Sequence, residues 1–364
     1  MKDIEGTSRK IIGKLMETAG RQDCDDHFAI DKWEWPQGVA LYALFKRWRA
    51  TGDETALLFL RDWYSRASLR PSPPRNVNTC APFLALAFLA EADGDDEKLA
   101  ACDSWAEWIM ERMPRTEEGG LQHVTSHLVN EGELWADTLY MTVLFLAKMG
   151  ELRGNRAYLD EAAYQFLLHI KHLSGGATGL WFHGWSFVRG DHFGGVRWAR
   201  GNAWFAAGAP DFLEISGLGG AAGRMIVQAL SAQFRALAAL QDESGLWRTV
   251  LDDKDSYPET SASAAIAYGM LKSRRLGLLD ADLDAVAGVA AGRAVRGVLS
   301  QVGDDGTVRG VSHGTAVGLD RAHYLAIPRL PTAYGQGLAF MMLGEAAAAA
   351  ATAAADLPKN GGAA

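Results

Sequence analysis

Apolar residues recur at three- and four-residue spacings along nearly the whole chain, while alternation with a period of two is scarce. The spacing predicts about twelve helices, opening near residues 7, 36, 54, 80, 96, 134, 156, 198, 220, 259, 281 and 333. Most have room for three or more turns. TGDETALLFL (51–60), DGDDEKLAAC (93–102) and RGNRAYLDEA (153–162) each set a Gly where one helix stops and an Asp or Asn where the next begins. Glycine supplies the left-handed residue that ends a helix, and the short acid or amide accepts the free N–H groups of the next. The pattern predicts tight antiparallel helix hairpins.

A second, longer punctuation recurs at intervals of about sixty residues: GGLQHV (119–124), TGLWFHGW (178–185), SGLWRTV (244–250) and DGTVRGV (305–311). Self-similarity at a fixed period marks a repeated supersecondary unit. Each copy reads as a short extended excursion opened by Gly and carrying an aromatic, His or Arg side chain. If the helix pairs close into a ring, the excursions share one end and the tight turns share the other. Segments 134–149 and 333–350 are apolar almost all round, as inner helices should be, whereas 96–112 and 156–171 carry the charged stripes of an outer layer. The expected fold is an all-α toroid of helix hairpins. It forms one domain over residues 1–356, followed by a disordered tail at 357–364.

Composition narrows the function classes. The chain is 48% hydrophobic and 22% charged, which is globular, and its net charge of −8 argues against nucleic acid or an anionic membrane as a partner. Cys24, Cys80 and Cys102 share no metal-ligand spacing, and three cysteines make no disulfide framework. No run approaches the length of a membrane span, and the first twenty residues lack a signal-peptide core. These features predict a reduced, soluble, cytoplasmic protein.

One carboxylate stands out. In ELWADTLYMTVLFLAKMG (133–150), Asp137 lies between Trp135 and Leu139 near the start of an otherwise apolar helix. Apolar neighbours raise the pKa of such a group and a helix N-terminus lowers it. Burial beside Trp135 is expected to prevail, leaving an acid that holds and returns a proton near neutrality. A helix cap or a partner to a buried Arg is the alternative. In RWARGNAWFAAG (197–208), Arg200 and Trp204 share a helix face, offering a fork for a carboxylate and a platform for a sugar ring. His123 and His183 occupy matching excursions, each upstream of an inner helix. His123/His127 and His169/His172 have helical spacing but no further ligands nearby, so no metal is expected. Nucleotide-binding glycine motifs are absent, so neither is a nucleotide cofactor.

Together, W-x-D-T-L-x-M (135–141), F-H-x-W (182–185) and W-A-R-x-x-x-W (198–204) resemble the unsaturated rhamnogalacturonyl hydrolases, glycoside hydrolase family 105. SYPETSASAAIAYGM (256–270) and YGQGLAFMMLGE (334–345) are similar to that family's later helices, and the likeness starts at WEWPQG (33–38). The resemblance implies an (α/α)6 barrel and a cofactor-free hydrolase acting on small unsaturated uronyl oligosaccharides, the products of polysaccharide lyases. It implies that Asp137 protonates C4 of the C4=C5 double bond and then deprotonates the water that adds at C5. His123, His183, Trp198, Arg200 and Trp204 would line the subsite of the unsaturated sugar. Trp35 falls where members often carry Tyr, and RNVNTCAP (75–82) falls where a second Asp is usual, leaving Asn76 and Asn78 as substrate-binding candidates. An amide can hydrogen-bond but cannot take a proton.

Three alternatives remain open: an unsaturated glucuronyl hydrolase acting on other uronate disaccharides, a hexosamine epimerase on the same toroid, and a non-catalytic sugar-binding toroid. The single central Asp speaks against the two-base chemistry of the epimerase.

Overall fold

The computed structural model describes residues 3–21 and 23–355, so the expected tail at 357–364 lies outside the described residues. In chain order the helices are α1 (Ile4–Met16), α2 (Trp35–Thr51), α3 (Glu54–Ser68), α4 (Val77–Asp93), α5 (Asp96–Glu111), α6 (Leu144–Arg153), α7 (Arg156–Leu173), α8 (Ala199–Ser216), α9 (Gly220–Ala239), α10 (Thr260–Arg275), α11 (Ala281–Ser300), α12 (Arg321–Leu325) and α13 (Ala333–Ala355). Four short strands accompany them: β1 (Glu133–Trp135), β2 (Gly184–Ser186), β3 (Trp247–Arg248) and β4 (Pro258–Glu259).

Helices α2, α4, α6, α8, α10 and α13 pack each against the next and close into an inner ring, and α13 returns to α2. Helices α1, α3, α5, α7, α9 and α11 pack outside them. The result is a toroid of six hairpins, as the periodicity predicts. The inner helices bury both faces in one continuous apolar core, which is why α4 and α13 show almost no polar stripe.

The two ends of the toroid differ as the punctuation implies. At one end, Gly52, Gly94 and Gly154 close helices in the left-handed conformation, and Asp53, Asp95 and Asn155 accept backbone N–H groups from the helices that follow. At the other end lie the long connections. Gly179 and Gly245 open their excursions at φ values of +71° and +84°. A Cβ on Gly179 would sit 2.5 Å from the carbonyl oxygen of Ala232, and one on Gly245 would sit 2.4 Å from that of Arg293. The repeated glycine is thus required twice over, by backbone geometry and by close approach to an outer helix.

Two features depart from the expected elements. Residues 133–135 form β1 and not the start of a helix, because Leu134 and Trp135 pair antiparallel with Trp185 and Gly184 of the next excursion. The helix opens at Asp137 and passes through a π-helical turn, Leu139–Val143, before α6. Such turns recur at functional sites because the widened turn redirects side chains. The short α12 has no counterpart among the expected helices.

No helix among the described residues is long and apolar enough to cross a membrane. A cavity of about 1030 Å³ opens at the tight-turn end and is lined in part by Tyr42, Lys46, Lys148, Glu214, Tyr268 and Arg275. The inner helices direct their C-termini there, where cations answer the helix dipoles. Lys46 and Lys272 are held by the fully buried Asp211. Those charges are mutually paired, and the cavity lies at the opposite end from Asp137.

Candidate active site

Strand pairing assembles the site. Because β1 and β2 share a register, the backbone N–H of Ala136 reaches the carbonyl of His183 at 3.0 Å, drawing Asp137 and His183 together from separate excursions. His183 Nε2 lies 3.1 Å from Asp137 Oδ2, and the indole Nε1 of Trp204 donates to Oδ1 at 2.9 Å. Asp137 therefore neither caps its helix nor pairs with an arginine. Both its oxygens face side-chain nitrogens, and 17% of its side chain remains exposed.

This environment reverses the expected pKa. Burial does raise the pKa of Asp137, but His183, through its electrostatic interaction and its hydrogen bond to Oδ2, with weaker contributions from His123 and Arg200, outweighs it. The carboxyl is held below its ordinary value in the free protein. Sequence reasoning saw the apolar neighbours and not the two N–H donors, which arrive from residues 46 and 67 positions away.

His123 is buried beneath Asp137's helix. Its ring stacks on Trp135 at 4.2 Å, and Nδ1 meets the Thr138 hydroxyl at 2.8 Å. Burial pushes its pKa down to about 3, so it is neutral at physiological pH. Trp198 is buried as well, with His183 against it at 4.3 Å and the Arg200 guanidinium over its ring at 4.3 Å. Trp204 is 0% exposed, so it serves Asp137 as a hydrogen-bond donor and presents no face to a sugar. Of the tryptophans expected at the site, Trp35 keeps exposed surface. It rests on Tyr334 at 4.6 Å with an edge towards Trp204.

Arg200 is 1% exposed. Its guanidinium donates to the carbonyl of Ser312 at 2.6 Å, to the Ser312 hydroxyl, and to the carbonyl of His313 at 2.8 Å. Glu259, the N-cap of α10, accepts the Ser312 N–H at 2.8 Å. Arg200 therefore braces the 312–313 segment where the sequence suggested an open fork.

The two asparagines separate. Asn76 is the N-cap of α4: its Oδ1 accepts the Thr79 N–H at 3.1 Å, its own backbone N–H donates to the Thr79 hydroxyl at 3.1 Å, and its side-chain amide reaches Ser126 at 3.1 Å. Those bonds occupy the side chain structurally. Asn78, in the first turn of α4, is half-buried.

The site includes residues that sequence patterns did not single out. Tyr324 of α12, fully buried, places its hydroxyl 3.0 Å from His183 Nδ1. Ser126 joins Asn76 to Glu34. Among the described residues, Asp25, His27 and His313 hold ligand-type atoms within 4.8 Å of one another. There His313 Nε2 is already hydrogen-bonded to Asp25 at 3.0 Å, and the two imidazoles meet edge to face. The histidine pairs weighed from sequence form no such group among the described residues.

Residues 7–350 match Glycosyl Hydrolase Family 88. The chain is 34% identical to the unsaturated rhamnogalacturonyl hydrolase YesR of Bacillus subtilis over 316 residues, covering 86% of this chain and 89% of YesR. A crystal structure from Salmonella enterica serovar Paratyphi A, described as a possible member of GH105, is 40% identical with a TM-score of 0.90, covering 95% of this chain and 94% of that one. The unsaturated glucuronyl hydrolase of Bacillus sp. GL1 shares the fold at a TM-score of 0.73 and 18% identity, over 93% of this chain and 95% of that one. By the span of the family match and by its likeness to YesR along most of both chains, this protein belongs to the glycosyl hydrolase 88/105 family.

Proposed function

We propose that this protein hydrolyses unsaturated uronyl oligosaccharides by hydrating the C4=C5 bond of the nonreducing-end sugar, with Asp137 as proton donor and acceptor. A proton from Asp137 goes to C4, water adds its oxygen at C5, and the carboxylate takes the proton released by that water. The resulting hemiketal opens and frees the neighbouring sugar. One carboxyl group suffices because protonation and water addition occur in sequence, unlike displacement at an anomeric carbon, which uses two carboxyl groups.

The observation that carries this reading is the isolation of Asp137 at the excursion end of the inner ring, its two oxygens held by His183 and Trp204. The lowered pKa of the free protein is compatible with it. A uronate brings a second carboxylate into the same pocket, and like charge raises the proton affinity of Asp137. Asn78 and Trp35 keep exposed surface for sugar contact. His183 orients the acid, His123 and Trp198 pack behind it, and Arg200 contributes positive potential while bracing the loop.

Rhamnogalacturonan-type fragments are the preferred substrates in this reading, supported by the likeness to YesR. A single catalytic domain over residues 1–356 is supported by the family match and by α13 closing the ring. A cytoplasmic location is supported by three free thiols. The test is the ultraviolet absorbance of the conjugated uronate in a panel of lyase-generated disaccharides. Hydration bleaches it, fastest for the unsaturated galacturonyl-rhamnose, whereas binding alone leaves it unchanged. Faster bleaching of glucuronyl substrates would reassign the specificity, and no bleaching of any would reject the activity.

A further inference from the structure

A run of hydrogen bonds continues behind Asp137. The Gly318 backbone N–H lies 3.0 Å from the Tyr324 hydroxyl, that hydroxyl lies 3.0 Å from His183 Nδ1, and His183 Nε2 lies 3.1 Å from Asp137 Oδ2. Donor and acceptor roles along it follow from counting protons. A backbone N–H can only donate, so Gly318 occupies a lone pair of the phenol oxygen. The phenol has one proton to give, and Nδ1 of His183 is the acceptor beside it. Burial pushes the Tyr324 phenol well up, so that proton stays on. With Nδ1 accepting, the neutral ring carries its proton on Nε2 and donates it to a carboxylate that can only accept.

We infer that Tyr324 is a positioning residue that locks His183 as the neutral Nε2–H tautomer, so that His183 donates to Asp137 and does not compete for the proton that Asp137 carries during the reaction. The inference rests on the reading of Asp137 as the proton carrier. The two other states of the ring each break the chain. An Nδ1–H tautomer turns a lone pair towards the carboxylate and an N–H towards the phenol. An imidazolium matches Asp137 but leaves the phenol proton without its acceptor. In a buried network each such fault is costly.

Among the described residues, the remaining surroundings of His183 supply no hydrogen-bonded or ion-paired charge other than Asp137. Trp135 and Trp198 cover it at 5.5 Å and 4.3 Å. His123, from the neighbouring excursion, is kept neutral by burial. The Arg200 guanidinium lies over the Trp198 ring at 4.3 Å and disfavours a second positive charge nearby. The functional consequence concerns one shared proton. An imidazolium beside Asp137 would hold the acid as an anion through an ion pair. A neutral donor orients the acid and still allows it to be protonated.

Nitrogen-15 NMR of histidine-labelled protein tests this directly, with His183→Gln assigning the signal. The expected spectrum at about pH 8 shows an unprotonated Nδ1 and a protonated Nε2 for His183. In Tyr324→Phe the Nδ1–H tautomer should become detectable at the same pH, kcat should fall about tenfold, and KM should change by less than about twofold. A wild-type His183 that carries its proton on Nδ1, or a tautomer that is the same with and without the Tyr324 hydroxyl, overturns the assignment. The wild-type spectrum decides even if Tyr324→Phe does not fold. Because it needs no substrate, a failure of the tautomer assignment is separable from a failure to bleach uronates.

Discussion

Trp204 donates its indole N–H to Oδ1 of Asp137 across 2.9 Å from a side chain with no exposed surface. A buried indole without an acceptor is unfavourable, and a buried carboxylate without donors is more so, so the two define each other's position. Trp204→Phe keeps the aromatic packing and removes the donor. A hydrogen bond to a charged group is worth about 1.5–3 kcal/mol, so kcat/KM should fall about tenfold to a hundredfold. Steady-state bleaching kinetics check this, and a rate within twofold of wild type would remove Trp204 from the machinery.

Asp137→Asn should cut the bleaching rate by about a hundredfold or more, the range of a lost general acid. Its effect on stability is less obvious. Both oxygens of Asp137 face N–H groups, and an asparagine must turn its own NH2 towards one of them. Trp204 cannot accept. His183 could do so only by moving its proton to Nδ1, where the Tyr324 hydroxyl already points. The carboxyl's lowered pKa also means that the charged form stabilises the fold at neutral pH. The melting temperature of Asp137→Asn should therefore drop, by an amount equivalent to about 1–3 kcal/mol. An unchanged or raised transition would show that the two donors are not so fixed.

The toroid was legible because its signals are local. Gly–Asp and Gly–Asn punctuation at 52–53, 94–95 and 154–155 acts within one turn of each helix, and the inner helices are apolar all round because both faces are covered. Asp137 stands out in the sequence for the same reason, as an Asp in an apolar run. Its electrostatics were not legible, because they depend on where His183 and Trp204 arrive in space. Arg200 and Trp204 lie four residues apart, and sequence shows that they share a helix face but not that both are buried. Tyr324 was missed because α12 has five residues, too few to show a period, and its acidic N-cap, Asp320, is a common turn residue.

Asn76 and Asn78 make a paired test of cap against contact. Asn76→Ala removes a capping box and should lower stability by about 1 kcal/mol, with KM within twofold of wild type. Asn78→Ala removes no helix cap, should change the melting temperature less than Asn76→Ala does, and should raise KM if Asn78 meets the sugar. Thermal melts and bleaching kinetics on both variants separate the roles. A large KM change in Asn76→Ala with an intact melt would reverse the assignment.

Stability should also fall on mild acidification, and buried histidines set the window. Burial pushes His123 down to about 3 and His169 to about 4. In the unfolded chain each takes up a proton near pH 6.5, so below that point the unfolded state binds more protons than the folded one. The contribution of each is complete above about pH 6.5 and is lost as pH falls towards the folded value, at up to about 1.4 kcal/mol per pH unit per histidine. The lowered carboxyls, Asp137, Asp211 and Glu214 among them, act in the same direction but only below about pH 5, where unfolded carboxylates begin to take up protons. Between pH 6.5 and about 5 the slope therefore belongs to the histidines. His169 lies on α7, with Nδ1 bonded to the carbonyl of Gln165 at 2.7 Å and its ring beside the Trp135 backbone. His169→Leu fills its apolar surroundings without a titrating ring and should flatten the dependence of melting temperature on pH in that interval. A slope as steep as that of the wild type would mean that His169 is protonated in the folded protein or screened by water that reaches its ring.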